Sequence, residues 1–236
     1  MVRWIERVRL MHPSLHLLTQ SLFDHRAAAQ LSPGQWDLVI RLARRADVLG
    51  RMASTIGRHG AMAKLPVEVT RHLRSSMLLA DRQHEEIRHE VRRLQGLFAP
   101  MQLPLILLKG AAYVIGELDA GHGRMVSDID ILVPRDRLAD AESALMRAGW
   151  VSTKSDAYDQ HYYRTWMHEL PPLRHMRRGT VLDVHHALVP LTGSLASGSD
   201  AILAAAVPVP GWANVRTLAP ADMVLHSAAH LFTEGE

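Results

Sequence analysis

The sequence predicts an α+β protein: a helical N-terminal region followed by a mixed β-sheet core flanked by helices. Apolar residues recur at three- and four-residue steps through the first hundred positions, which is helical periodicity. At Pro104 the texture changes to short apolar runs and to acid–apolar alternation, which is strand periodicity. Helical stretches separate those runs, so the sheet is expected to be mixed and covered by helices. The boundaries that follow are a helical subdomain over 1–100 and an α/β core with a C-terminal helix over 101–236.

Taken in order, Ser32-Pro33-Gly34-Gln35 is a helix start, with a Ser cap, Pro at the first helical position and Gln three residues after the cap. Trp36, Val39, Ile40, Ala43, Ala46 and Leu49 continue it as one apolar stripe. A second long helix begins near Pro66. Its Leu73, Met77, Ala80, His84, Ile87, Val91, Leu94 and Phe98 form a heptad seam ended by Pro100, which suits either a dimer interface or packing inside the subdomain. Leu105 to Leu108 is a buried-strand run, and a small-residue helix from Ala111 to Leu118 follows Lys109-Gly110. Val126 to Val133 is a strand, and Arg135 to Ala148 an amphipathic helix stopped by Gly149. His161 to Glu169 and Thr180 to His186 read as two further strands joined by a polar loop from Arg174 to Gly179. Helices near Asp200 to Ala206 and from Pro220 to Phe232 close the chain.

Composition excludes several classes. At 236 residues, 47% hydrophobic and 22% charged, the chain is of ordinary folded type. No apolar run is long enough to cross a bilayer, and charges in Met1-Val2-Arg3-Trp4-Ile5-Glu6 interrupt the place where a signal peptide needs an apolar run. With no cysteine there is no disulfide, thiolate metal site or cysteine nucleophile. A cytoplasmic protein without membrane partners is the expectation. Residues 1–100 carry 16 Lys+Arg against 9 Asp+Glu, and the remainder 11 against 15. The basic helices permit a nucleic-acid partner without demanding one, and at 5% aromatic residues no stacking platform is evident.

The chemistry concentrates in Ser127-Asp128-Ile129-Asp130-Ile131. Residues two apart on a strand share a face, so Asp128 and Asp130 present both carboxylates together among aliphatic neighbours. Such a pair is costly to bury unless a cation neutralises it, and oxygen ligands suit Mg2+ or Mn2+. Asp183, flanked by aliphatics on another strand, is a third acid, and period-two alternation puts His185 on its face. Three strand-borne carboxylates can hold two metal ions. Lys109-Gly110, at a strand-to-helix turn, offers a cation and backbone N–H groups to phosphate. His226 and His230 have zinc-compatible spacing, but Ser227 stands where a zinc hydrolase needs Glu.

Three segments, Leu107-Leu108-Lys109-Gly110-Ala111-Ala112, Arg124 to Pro134 and Leu182-Asp183-Val184-His185, resemble the uncharacterised bacterial nucleotidyltransferase family of the DNA-polymerase-beta-like nucleotidyltransferase superfamily. Leu218 to His226 resembles the helix start that follows the core in that family, and further helices usually follow. The resemblance implies a Mg2+- or Mn2+-dependent transferase that moves a nucleoside monophosphate from an NTP to an acceptor (small molecule, protein or RNA), releasing pyrophosphate. Asp128, Asp130 and Asp183 would be the catalytic metal ligands. Lys109, Gly110, Arg124 and Ser127 would hold the nucleotide, and His185 would lie on the acceptor side. The pattern departs at Ala111, where the superfamily carries serine. A catalytically degenerate nucleotide- or partner-binding protein is the alternative, which the three intact acids disfavour.

Overall fold

The computed structural model describes residues 13–154, 156–189 and 199–233. The chain divides into two compact units. One ends at His84 and also takes in Asp119–Met125; the other comprises Glu85–Leu118 and the chain from Val126 onward.

In the first unit, helices α1 (Pro13–Phe23), α2 (His25–Ala28), α3 (Pro33–Arg45) and α4 (Leu49–Arg58) surround Leu18, Trp36, Met52, Ile56 and Leu73. The capping box forms at the start of α3: Gln35 N donates to Ser32 Oγ at 3.3 Å and Ser32 N donates to Gln35 Oε1 at 2.8 Å. The stripe expected to run unbroken to Leu49 is two helices, because the chain leaves α3 after Arg45 and turns at Asp47 with φ +52°. Segment Asp119–Met125 lies against α4, where Arg51 and Arg58 both bond Asp119. The backbones there touch: a Cβ on Gly123 would sit 2.2 Å from the Gly50 carbonyl oxygen, and φ at Gly123 is +69°.

Helix α5 (Val67–Phe98) begins after Pro66 as expected. Its seam is consumed inside the chain. Leu73 belongs to the core of the first unit, whereas Ile87, Val91, Leu94 and Phe98 belong to that of the second. These residues present no free apolar face for the dimer considered from the heptad pattern.

The second unit contains β1 (Leu105–Leu108), α6 (Lys109–Ile115), β2 (Asp128–Leu132), α7 (Leu138–Arg147), β3 (Trp150–Ser152), α8 (Ala157–Trp166), β4 (Leu173–His175), β5 (Val181–His185), α9 (Ser199–Ala205), β6 (Val207–Pro208), β7 (Val215–Thr217) and α10 (Pro220–Thr233). Among the described residues these strands make one seven-stranded sheet in the order β3-β4-β5-β2-β1-β7-β6. The α+β expectation holds. β2 is antiparallel to β1 and parallel to β5, and β1 is parallel to β7, so the sheet is mixed.

Two elements differ from expectation. The stretch read as a strand from His161 to Glu169 is helix α8 up to Trp166, started by Asp156, whose carboxylate accepts from Tyr158 N at 2.6 Å. Its aromatic content suggested a strand, but the cap and the four-residue spacing of its rings decide for helix. The expected loop at Arg174 is partly strand β4, and β3 pairs with it. Strands of three residues are too short to show a period.

Alternation divides the sheet into two faces. Leu105, Leu107, Ile129, Ile131, Leu182 and Val184 point into the main core with the second half of α5. The opposite face carries a smaller cluster with Ile106, Leu108 and Leu132, and beside it the acids. A buried ion pair ties the β4–β5 hairpin to α5. Glu90, only 3% exposed, accepts from Arg178 Nε at 2.7 Å and from Arg178 Nη2 at 2.5 Å, and the guanidinium lies 5.8 Å from the Trp150 ring centroid.

Arg178→Ala is expected to destabilise the protein by about 3 kcal/mol, because it leaves the Glu90 charge buried with much weaker compensation. Arg93→Ala, which removes a more exposed partner of Glu90, should cost about 0.5 kcal/mol. Urea unfolding of the two variants checks the contrast.

Candidate active site

The parallel pairing of β2 and β5 brings the acids together. Asp130 is opposite Asp183, Asp128 lies two residues back along β2, and Leu132 is opposite His185. Register partners share a face, so all three carboxylates and the His185 ring project from the same side, away from the main core. Asp130 is 3% exposed, and Asp128 and Asp183 are half-buried.

Asp130 is the centre of the group. Its Oδ1 accepts from Lys109 Nζ at 2.9 Å and from His185 Nε2 at 2.9 Å. Both donors meet one oxygen. Lys109 reaches it from the first residue of α6, where the backbone takes the left-handed value φ +46°. That conformation is unfavourable for a side chain with a Cβ and is held by the structure around it. Gly110, next in line, is pressed against Val126: a Cβ there would meet Val126 Cγ1 at 3.0 Å. Ala111 is fully buried in the main core.

Charges in this space shift one another strongly. Burial alone would raise Asp130, but the hydrogen bond and charge of His185, with Lys109, hold it below the usual carboxylate range. Asp128 is raised, by burial first and by Asp130 second. Asp183 is raised to about 7, by burial first and then by the negative charges of Asp130, Glu169 and Asp128. Its Oδ1 is buried with no hydrogen-bond partner in the protein, and His185 Nδ1 is in the same situation. Three carboxylates on one face, one with an orphaned buried oxygen and a proton retained near neutrality, fit a divalent cation by donor chemistry and by unmet charge.

The remaining expected residues fall as follows. Ser127 Oγ donates to Asp128 Oδ1 at 3.4 Å. Arg124 lies in the Asp119–Met125 segment of the other unit, where its carbonyl accepts from His84 Nε2 at 2.8 Å.

Several residues at the site escaped sequence reasoning. Glu169 forms an isolated antiparallel bridge with His185, and its Oε2 is 3.4 Å from His185 Nε2. His168 and His226 are buried and neutral, lowered to about 3 and about 4 by burial first and by the charges of His185 and Lys109 after it. His226 had appeared only as half of an i, i+4 pair with His230. The aromatic content also hid a platform: Tyr158, Tyr162 and Trp166 recur at four-residue steps along α8, all exposed. The Tyr158 and Tyr162 rings stack at 6.5 Å and 18°. Tyr163, on the flank of the same helix, is raised by burial and then by Glu169, Asp159 and Asp183. A four-residue aromatic step was the readable signal, and the strand assignment concealed it.

A family model described as uncharacterised nucleotidyltransferase matches residues 32–236. The chain belongs to that nucleotidyltransferase family. No curated protein and no solved structure matches it. Among the described residues no helix is long and apolar enough to cross a membrane.

Asp183 yields a pH prediction. Its value in the folded state, about 7, lies above the ordinary 3.8, so the folded state binds more protons between these values and Asp183 withdraws stability as pH rises through that window. His168 and His226 act in the opposite sense, since their folded values lie below the ordinary 6.5 and stability is lost as pH falls under it. Wild type alone therefore mixes both slopes. Without divalent cations, the melting temperature of Asp183→Asn relative to wild type should climb from pH 4.5 to pH 7.5, by about 4 °C or more. Calorimetric melts across that range check it.

Proposed function

We propose that this chain transfers a nucleoside monophosphate from an NTP to an acceptor hydroxyl or phosphate, with release of pyrophosphate and with Mg2+ or Mn2+ bound by Asp128, Asp130 and Asp183. The observation that carries the proposal is the convergence of these carboxylates on one sheet face, beside Lys109, in a member of the nucleotidyltransferase family. The resemblance to the DNA-polymerase-beta-like superfamily supports the same reaction.

Divalent ions at such acids lower the pKa of an attacking oxygen and balance charge on the leaving group. The protein's own residues supply the rest. His185 and Lys109 keep Asp130 ionised and hold one of its oxygens, which fixes the direction of the other. Lys109 is the cation nearest the acids, and it serves the departing pyrophosphate. Attacking and leaving oxygens in phosphoryl transfer lie roughly in line. With pyrophosphate at Lys109, the acceptor comes from the side of Asp183, Glu169 and Tyr163. Asp183 stands on that acceptor side. Ser127, beside Asp128, is a further nucleotide contact, and Gly110 gives the turn its close fit.

Calorimetry with a non-hydrolysable NTP and Mg2+ tests nucleotide binding. Lys109→Ala is expected to weaken it about 10-fold or more, the worth of a charge-assisted hydrogen bond. Unchanged affinity would remove Lys109 from the site. A labelled-NTP screen against cell-extract fractions then finds the acceptor. With it present, Asp130→Asn should lower pyrophosphate release by about 1,000-fold or more with the fold retained. A folded Asp130→Asn variant with wild-type turnover would remove Asp130 from the catalytic machinery.

A further inference from the structure

Beside the all-oxygen group of Asp128, Asp130 and Asp183 stands a second donor set of different chemistry. His168, Glu169 and His185 each offer one ligand atom, and these atoms all lie within 4.8 Å of one another. His168 and His185 are buried, at 3% and 0% exposure, and Glu169 is half-buried. The backbone fixes their relative positions. The His168 carbonyl accepts from His186 N at 2.8 Å and from Ala187 N at 3.1 Å, and Glu169 bridges His185. The two segments that carry the donors are therefore locked together by main-chain hydrogen bonds, without help from an ion.

The spacing also suits coordination. Two ligands about 2.1 Å from a tetrahedral ion lie about 3.4 Å apart, and His185 Nε2 is 3.4 Å from Glu169 Oε2. The same nitrogen is 2.9 Å from Asp130 Oδ1, so it faces two carboxylates at once. The donor types separate this position from the neighbouring acids. Mg2+ favours oxygen and keeps its waters, whereas two imidazoles and a carboxylate suit zinc and similar transition dications.

We propose that His168, Glu169 and His185 form a zinc-type site beside the magnesium group on the adjoining strands; with zinc bound, His185 Nε2 gives its lone pair to the ion in place of donating to Asp130, which keeps its bond from Lys109. The ion ties the segment after α8 to β5 and holds the imidazole that abuts Asp130. This site does not depend on the nucleotidyl-transfer proposal, since metal binding is read without nucleotide.

Zinc titration of the full chain in millimolar Mg2+ tests it, followed by calorimetry and, with Co2+ as the spectroscopic probe, by visible absorption. One strongly bound ion per chain is expected, with the absorption bands of imidazole-ligated Co2+. His168→Ala and Glu169→Gln should each weaken zinc binding about 10-fold or more, while Asp128→Asn should change it less than about 3-fold. Circular dichroism verifies the fold, and Glu169→Gln, nearly isosteric, carries the test where His168→Ala unfolds. The proposal is overturned if Mg2+ displaces the zinc, if folded Glu169→Gln binds zinc as wild type does, or if Asp128→Asn loses zinc as fully as the histidine variant. The last result would assign the ion to the oxygen group, and the second would leave the three side chains as a hydrogen-bonded cluster.

Discussion

A carboxylate near the middle of a sheet must be compensated, and Asp130 is compensated twice at one oxygen. Lys109 and His185 arrive from opposite neighbours of β2: Lys109 from the end of β1 and His185 from β5. Without those donors the buried charge would be too costly to retain. With them, Asp130 stays ionised while Asp183, its register partner, is left to bear the repulsion. This division of labour between two acids follows from environment alone, since their chemistry is identical.

Much of the surrounding structure serves that arrangement. Lys109 reaches Asp130 only from a left-handed backbone position, and such strain persists where neighbours enforce it. The neighbours here are close: Gly110 sits against Val126, and Ala111 is sealed in the core. On the other flank, Glu90 and Arg178 anchor the β4–β5 hairpin, which presents Asp183 and His185. Glu169 and His168 add a rim of mixed oxygen and nitrogen donors beside the acids.

The acids were legible because period-two alternation is short-ranged. Asp128 and Asp130 share a face whatever the strand pairs with, and Asp183 and His185 share theirs for the same reason. Capping chemistry was equally local: Ser32 and Gln35 form their reciprocal bonds within four residues, and Gly149 ends the α7 segment at φ +94°. The α8 error arose where local signals conflict. Tyrosine and tryptophan favour strands on average, whereas the Asp156 cap and the ring spacing favour helix, and the cap prevailed.

What the sequence determined by itself was thus the identity and local facing of the acids, the helical character of positions 13–98 and the strand–helix order around Lys109. Tertiary structure decided the pairings. Only the parallel register of β5 on β2 sets Asp183 opposite Asp130, and only the Glu169–His185 bridge brings in a residue sixteen positions away. Burial is likewise a property of the assembled sheet. The shift of Asp183 to about 7 depends on burial first and then on three other acids, drawn from β2 and the segment before β4. Such contacts join residues far apart in the chain, and no periodicity within one segment encodes which distant segment will lie beside it.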